Sequence, residues 1–169
     1  MIYPIVKLGD PVLERPAETV TVFDKELQQL IDDMFESMYA AHGIGLAAPQ
    51  IGIAKRIAVI DVTFKEDPDA KLVLINPEIV HMEGRQSQSE GCLSIPDFRE
   101  NVARAMRVTV RAQDLEGEWH EHTGEELLAR AFQHETDHLN GKLYIHRISA
   151  LKRDLIKRKV RKLAKAGEW

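Results

Sequence analysis

Two strand-like runs separated by a tight turn set the strongest limit on the architecture of this chain. Arg107-Val-Thr-Val-Arg-Ala-Gln113 alternates polar and apolar residues, the period of a half-exposed strand. Asp114-Leu-Glu-Gly117 has the residues of a turn, and Glu118 to Thr123 reads as the returning strand. A connection this short joins antiparallel neighbours, because a parallel crossover needs about a dozen residues or more. Arg56-Ile-Ala-Val-Ile-Asp61 and Lys71-Leu-Val-Leu-Ile-Asn76 read as two further strands, the first well buried.

Helical periodicity frames these strands. Asp24 is placed as an N-cap, and Leu27, Leu30, Ile31, Met34, Met38 and Ala41 follow at helical spacing up to Gly43, which can end the helix. A second helix is expected from about Glu125 to Asn140, closed by Gly141. A third follows Ser149, with Leu151, Leu155, Val160 and Leu163 as its apolar seam. Strands joined by antiparallel turns and then followed by helices indicate an α+β fold with a long N-terminal helix and a C-terminal helix. The 169 residues, 44% hydrophobic, suit one domain spanning 1–169 with a single core. No run approaches the roughly 18 apolar residues of a membrane span. The N-terminal residues carry neither a secretory nor a transit signature, so a cytoplasmic protein without membrane contact is expected. The single cysteine, Cys92, excludes an internal disulfide and fits a reducing compartment.

The chemistry concentrates in His134-Glu-Thr-Asp-His138. On a helix, residues four apart share a face, so two imidazoles can grip one ion with Glu135 beside it. A catalytic site of this kind needs a third protein ligand. Peptidases with this motif often supply a later histidine or carboxylate, but here the position for that histidine is Tyr144. The only acids after His138 are Asp154 and Glu168, both in the basic tail. Cys92, in Glu90-Gly-Cys-Leu-Ser94, offers a thiolate, which with two imidazoles makes a compact site for a divalent transition metal.

Three segments together resemble the signature motifs of the peptide deformylases: Gly43-Ile-Gly-Leu-Ala-Ala-Pro-Gln50, Glu90-Gly-Cys-Leu-Ser94 and Gln133-His-Glu-Thr-Asp-His-Leu139. Their order and spacing match, and the resemblance extends over nearly the whole chain. It implies antiparallel sheets around a central metal-binding helix, and removal of the formyl group from formyl-methionine of new polypeptides. Cys92, His134 and His138 would bind one metal, typically Fe(II), with a water as fourth ligand and nucleophile; Zn(II), Ni(II) and Co(II) accept the same ligands. Glu135 would be the general base and then the general acid. Gln50 and the backbone N–H of Leu93 would form the oxyanion hole, with Gly45 making a backbone contact near the formyl group. Arg99 is similar to a family residue near the substrate backbone. Ile44, Leu127 and Ala131 would line the pocket for the methionine side chain. Arg130 stands where the family usually has an apolar residue, and its head is expected at the pocket mouth with its stem as wall.

Charge is divided unevenly. Residues 150–169 hold eight basic and two acidic residues, net +6, against 15 basic and 25 acidic in the rest, net −10. On composition alone that tail is a solvated amphipathic helix or a site for a polyanion. The resemblance implies docking near the ribosomal exit tunnel, with Lys157, Arg158, Arg161 and Lys162 as the contact residues and the enzyme a monomer. Two other classes compete: a metallopeptidase, carried by the His-Glu-x-x-His pattern alone, and a non-enzymatic RNA- or ribosome-binding protein, carried by the tail.

Overall fold

A computed structural model describes all 169 residues. Helix α1 (Lys25–Ala40) starts where the Asp24 side chain accepts a hydrogen bond from the Leu27 amide. It ends earlier than the sequence suggested, because the left-handed residue that closes it is His42 (φ 58°) rather than Gly43. The amide of Gly43 reaches back to the Met38 carbonyl at 2.9 Å, which closes the last turn.

Seven strands follow, with helix α2 (Glu126–Leu139) and helix α3 (Ala150–Lys165) after them. Strands β1 (Gly45–Ala47), β2 (Ile57–Ile60), β3 (Leu72–Glu83), β6 (Arg107–Gln113) and β7 (Trp119–Glu125) form one antiparallel sheet in the order β1-β2-β3-β6-β7. Strand β3 is twice as long as its apolar stretch suggested, running to Glu83 across two register shifts. Asn76 and Pro77 mark the first of them. Asn76 has φ 51°, and its side chain bonds both polar backbone groups of Val20.

The second sheet was not expected from the sequence. Strands β4 (Gln86–Cys92) and β5 (Ile95–Arg104) form a separate two-stranded ribbon. Its first strand, Gln-Ser-Gln-Ser-Glu-Gly-Cys, has no apolar alternation. The buried positions are Gln86 and Glu90, and polar partners rather than hydrophobic packing hold them.

Helix α2 is buried on nearly every side, which places it at the centre of the molecule. It packs on the five-stranded sheet through Ala129, Ala131, Phe132 and Leu139. Gly141 ends it with φ 76°, and a Cβ there would meet the Arg15 backbone at 2.8 Å. Helix α1 covers β1 and β2 through Leu27, Ile31, Met34 and Met38. Helix α3, capped by Ser149 as expected, packs with Ile156 and Val160 on a third cluster that holds Ile95, Val102 and Tyr144. Of the seam expected at Leu151, Leu155, Val160 and Leu163, Val160 is buried and Leu163 half-buried, whereas Leu151 and Leu155 are exposed, because Ile156 takes the buried position beside them. No helix is long and apolar enough to cross a membrane.

Candidate metal centre

Helix α2 carries His134 and His138 one turn apart, and the end of β4 brings Cys92 against them. The three ligand atoms lie within 4.8 Å of one another. His138 Nε2 is 3.1 Å from His134 Nε2 and 3.4 Å from Cys92 Sγ. Two donors bound tetrahedrally to one ion at ordinary lengths are separated by about 3.4 Å, and both distances from His138 lie near that value, so the donor set suits a single transition-metal ion.

The protonation pattern is consistent with such a cluster. Burial pushes His138 well below its usual pKa, with the neighbouring His134 adding to the effect, so a neutral lone pair faces the cluster. Burial works in the same direction on His134, but Glu135, Cys92 and Glu90 outweigh it and raise its pKa well above the usual value. His134 Nδ1 is fixed by Glu90 Oε2 at 2.7 Å, which turns its Nε2 toward the other two ligands.

Glu135 follows His134 on the same helix and is buried against Gly45. A Cβ at Gly45 would collide with the Glu135 carboxylate, with Cδ at 3.0 Å, so only glycine admits this approach. Glu135 Oε1 has no hydrogen-bond partner in the protein, and burial pushes its pKa up to about 7.

Gln50 lies in a 3₁₀ turn (Ala48–Ile51) after β1. Its Oε1 accepts from the Ala47 amide at 3.0 Å. That leaves Nε2 pointing at Ser94 Oγ (3.2 Å) and Cys92 Sγ (3.6 Å). The N-terminal segment ties these loops together, since the Val6 amide donates to the Gln50 carbonyl and the Leu8 amide to the Ser94 carbonyl. Leu93 occupies the tight turn between Cys92 and Ile95, its side chain packed where a Cβ on Gly43 would stand. Gly45, Gln50, Cys92, Leu93, His134 and Glu135 border one cavity of about 660 Å³, and His138 lies behind its lining.

Comparison with known proteins decides the family. The polypeptide deformylase family model matches residues 2–154. A peptide deformylase of Acidobacterium capsulatum is 70% identical over 169 residues, covering 100% of this chain and 99% of that protein. The chain belongs to the peptide deformylase family. A crystal structure of a peptide deformylase from Legionella pneumophila has a TM-score of 0.91 at 46% identity, covering 99% of this chain and 98% of that one. Another, from Synechococcus elongatus in complex with actinonin, has a TM-score of 0.87 at 42% identity over 98% of this chain and 88% of that one. The activity that goes with the family is removal of an N-terminal formyl group.

The remaining residues singled out in the sequence fall in two places. Ile44, Leu127, Ala131 and Arg99 line the same cavity as Cys92, His134 and Glu135. Arg130 also lines it, but its head is not at the mouth as expected. The side chain is buried, with its guanidinium turned inward onto Glu90 Oε1 (2.6 Å) and the Val102 carbonyl (3.0 Å). A buried carboxylate with free acceptor sites attracts a guanidinium more strongly than a rim position does. Arg158, Arg161 and Lys162 are exposed on α3, whereas Lys157 is half-buried.

Sequence reasoning missed the support behind His134. Arg104 lies buried between Glu90 (2.6 Å) and Asp137 (2.7 Å), and Asp137 continues to Arg147 at 2.7 Å. Its attachment to two carboxylates holds Glu90 well below the usual carboxylate range despite burial, with His134 contributing most. Glu90 and Asp137 lie inside the motifs, so their acidity was a signal. Arg104 ends an alternating strand and gave none.

Proposed function

We propose that this protein deformylates newly made polypeptides through one divalent metal ion held by Cys92, His134 and His138, with Glu135 moving the protons. The observation that carries this reading is the Glu135 carboxylate, buried, with one oxygen unpaired and pressed against Gly45 beside the three-ligand cluster. A soft thiolate with two imidazoles suits Fe(II), and Zn(II), Ni(II) or Co(II) fit the same donors. When bound, the ion supplies Lewis acidity and lowers the pKa of the attacking water.

The chain's own residues do the rest. Glu135 takes a proton as the water oxygen adds to the formyl carbon. It then gives that proton to the amide nitrogen as the C–N bond breaks, releasing formate and a free amine. Gln50 Nε2 and the Leu93 backbone N–H face the developing oxyanion. Such donors are each worth about 3 kcal/mol. Gly45 aligns the formyl-bearing residue by its backbone. Ile44, Leu127, Ala131 and the stem of Arg130 form the wall for the methionine side chain, and Arg99 lies at the rim to meet the peptide backbone.

The test is formate release from a short formyl-Met peptide, using protein prepared without oxygen and loaded separately with Fe(II), Ni(II) or Zn(II). Rapid release that disappears in Glu135→Ala, with metal still bound at one equivalent, is the expected result. Undiminished release in Glu135→Ala would remove Glu135 from the mechanism, and full activity in Cys92→Ala would refute the ligand set. A metallopeptidase is not favoured: Tyr144, at the position of that motif's usual third histidine, offers no imidazole and is buried in the third core cluster, and the third donor beside the two histidines is Cys92.

A further inference from the structure

The ribbon β4–β5 carries an irregularity beside the metal cluster. Gly91 pairs with Arg99 and Cys92 with Ile95, so Pro96, Asp97 and Phe98 have no partners in β4. Asp97 takes φ 70° within this bulge. Burial falls along the segment: Ile95 is fully buried, Phe98 is half-buried, and Asp97 and Arg99 are exposed. The segment thus runs from the floor of the cavity to its rim, and all four residues line that cavity together with His134 and Glu135.

A bulge without ladder hydrogen bonds needs another restraint to hold a side chain in one place. Trp169, beyond the end of α3, supplies it. Its ring meets Phe98 edge-on at 6.2 Å between centroids and 70° between planes. Its Nε1 donates to the Leu8 carbonyl at 2.8 Å, and its own carbonyl accepts from Lys7 Nζ at 3.2 Å. Trp169 and Phe98 both pack on the core cluster that holds Ile156 and Val160. The ring is therefore fixed on one side by the N-terminal segment and presses on Phe98 from the other.

We propose that Trp169 is a positioning residue for the outer wall of the substrate groove: by backing Phe98 in the bulge, it sets selectivity for an apolar side chain beyond the formylated methionine. This deepens the deformylase reading and rests on it. An aromatic face at the rim favours peptides with a bulky apolar residue near the end of the bound stretch. Phe98 without its backing loses that preference without losing the chemistry at Glu135.

The experiment compares formyl-Met-Ala-Phe with formyl-Met-Ala on the full-length, metal-loaded wild type, Trp169→Ala and Trp169→Phe. In Trp169→Ala the ratio of kcat/KM for the longer peptide to that for the shorter one falls by about threefold or more, through KM, and Trp169→Phe restores it. An unchanged ratio overturns the proposal, as does a fall in kcat that is equal for both peptides, which a merely structural role would produce. Failure of the wild type to release formate from the shorter peptide would instead overturn the deformylase reading, and the groove assignment with it.

Discussion

Gly45 and Asp61 are single residues whose neighbours leave them no substitute. At Gly45 a methyl group would enter the space of the Glu135 carboxylate, and Glu135 cannot retreat because it is buried in the helix core. Gly45→Ala should therefore keep the fold, judged by circular dichroism, while cutting kcat/KM by about a hundredfold, the cost of displacing a catalytic group by about an ångström. Activity near wild type would show that the carboxylate is not confined. The glycine was visible in the sequence as part of a motif, but the reason for it was not, because Glu135 lies 90 positions away. Asp61 was read only as the end of a strand. It accepts hydrogen bonds from Tyr39 Oη, from the Thr63 hydroxyl and amide, and from the Lys65 amide, and so clamps a loop in which Phe64 and Lys65 both have positive φ. Burial works to raise its pKa, but those bonds, led by Tyr39, hold it at about 2. A depressed carboxylate contributes stability that is present above its unfolded value near 3.8 and is lost as pH falls through the folded value. Urea midpoints should drop between about pH 4 and pH 2 in the wild type, and this drop should be smaller in Asp61→Asn. Parallel curves would deny Asp61 a share in acid sensitivity.

Among the elements, the helices and the β6–β7 hairpin were legible because each declares itself locally, through an N-cap, a period or a turn. The β4–β5 ribbon was not legible, since its first strand buries a glutamine and a glutamate rather than a hydrophobic stripe. Arg104, bonded to Glu90 on β4 and Asp137 on α2, ties that ribbon to the helix together with Arg130 and His134. Removing one partner from a buried ionic network leaves the others uncompensated. Arg104→Met would leave Glu90 to Arg130 and His134 and Asp137 to Arg147, taking one guanidinium from each buried carboxylate, and a loss of about 3 kcal/mol in urea unfolding is expected. Arg130→Met should cost less, because Glu90 keeps both bonds from Arg104. The reverse order would mean that Arg130, not Arg104, anchors Glu90. Val160 was read correctly in the apolar seam of α3, but its first half was misplaced onto Leu151 and Leu155, because apolar residues on an isolated amphipathic helix look alike until a neighbour selects a face. Ile95, Val102 and Tyr144 selected Ile156 and Val160.

At the scale of the whole molecule, the charge split is the feature that the sequence made plain. The acidic body and the basic tail are not separate bodies, because α3 is fastened by Ile156, Val160, a Lys152–Glu100 ion pair at 3.2 Å and Trp169. Removing residues 150–169 would therefore open the third core cluster as well as delete the charge, so truncation is a poor test of ribosome docking. Charge reversal is cleaner. Arg158, Arg161 and Lys162 are exposed and make no ion pair within the protein, so their substitution leaves the packing of α3 intact. Each phosphate contact adds about 0.7 to 0.9 to the slope of log affinity against log salt. If these three residues dock on ribosomal RNA, the triple variant Arg158→Glu, Arg161→Glu, Lys162→Glu should lose ribosome co-sedimentation at low salt, and its salt slope should flatten by about 2 or more. Turnover of a free formyl peptide should stay close to wild type, since none of the three residues lines the cavity. Unchanged co-sedimentation would assign the tail to solvation alone. Loss of both binding and turnover would mean that α3 transmits its position to the groove, through the same contact that joins Trp169 to Phe98.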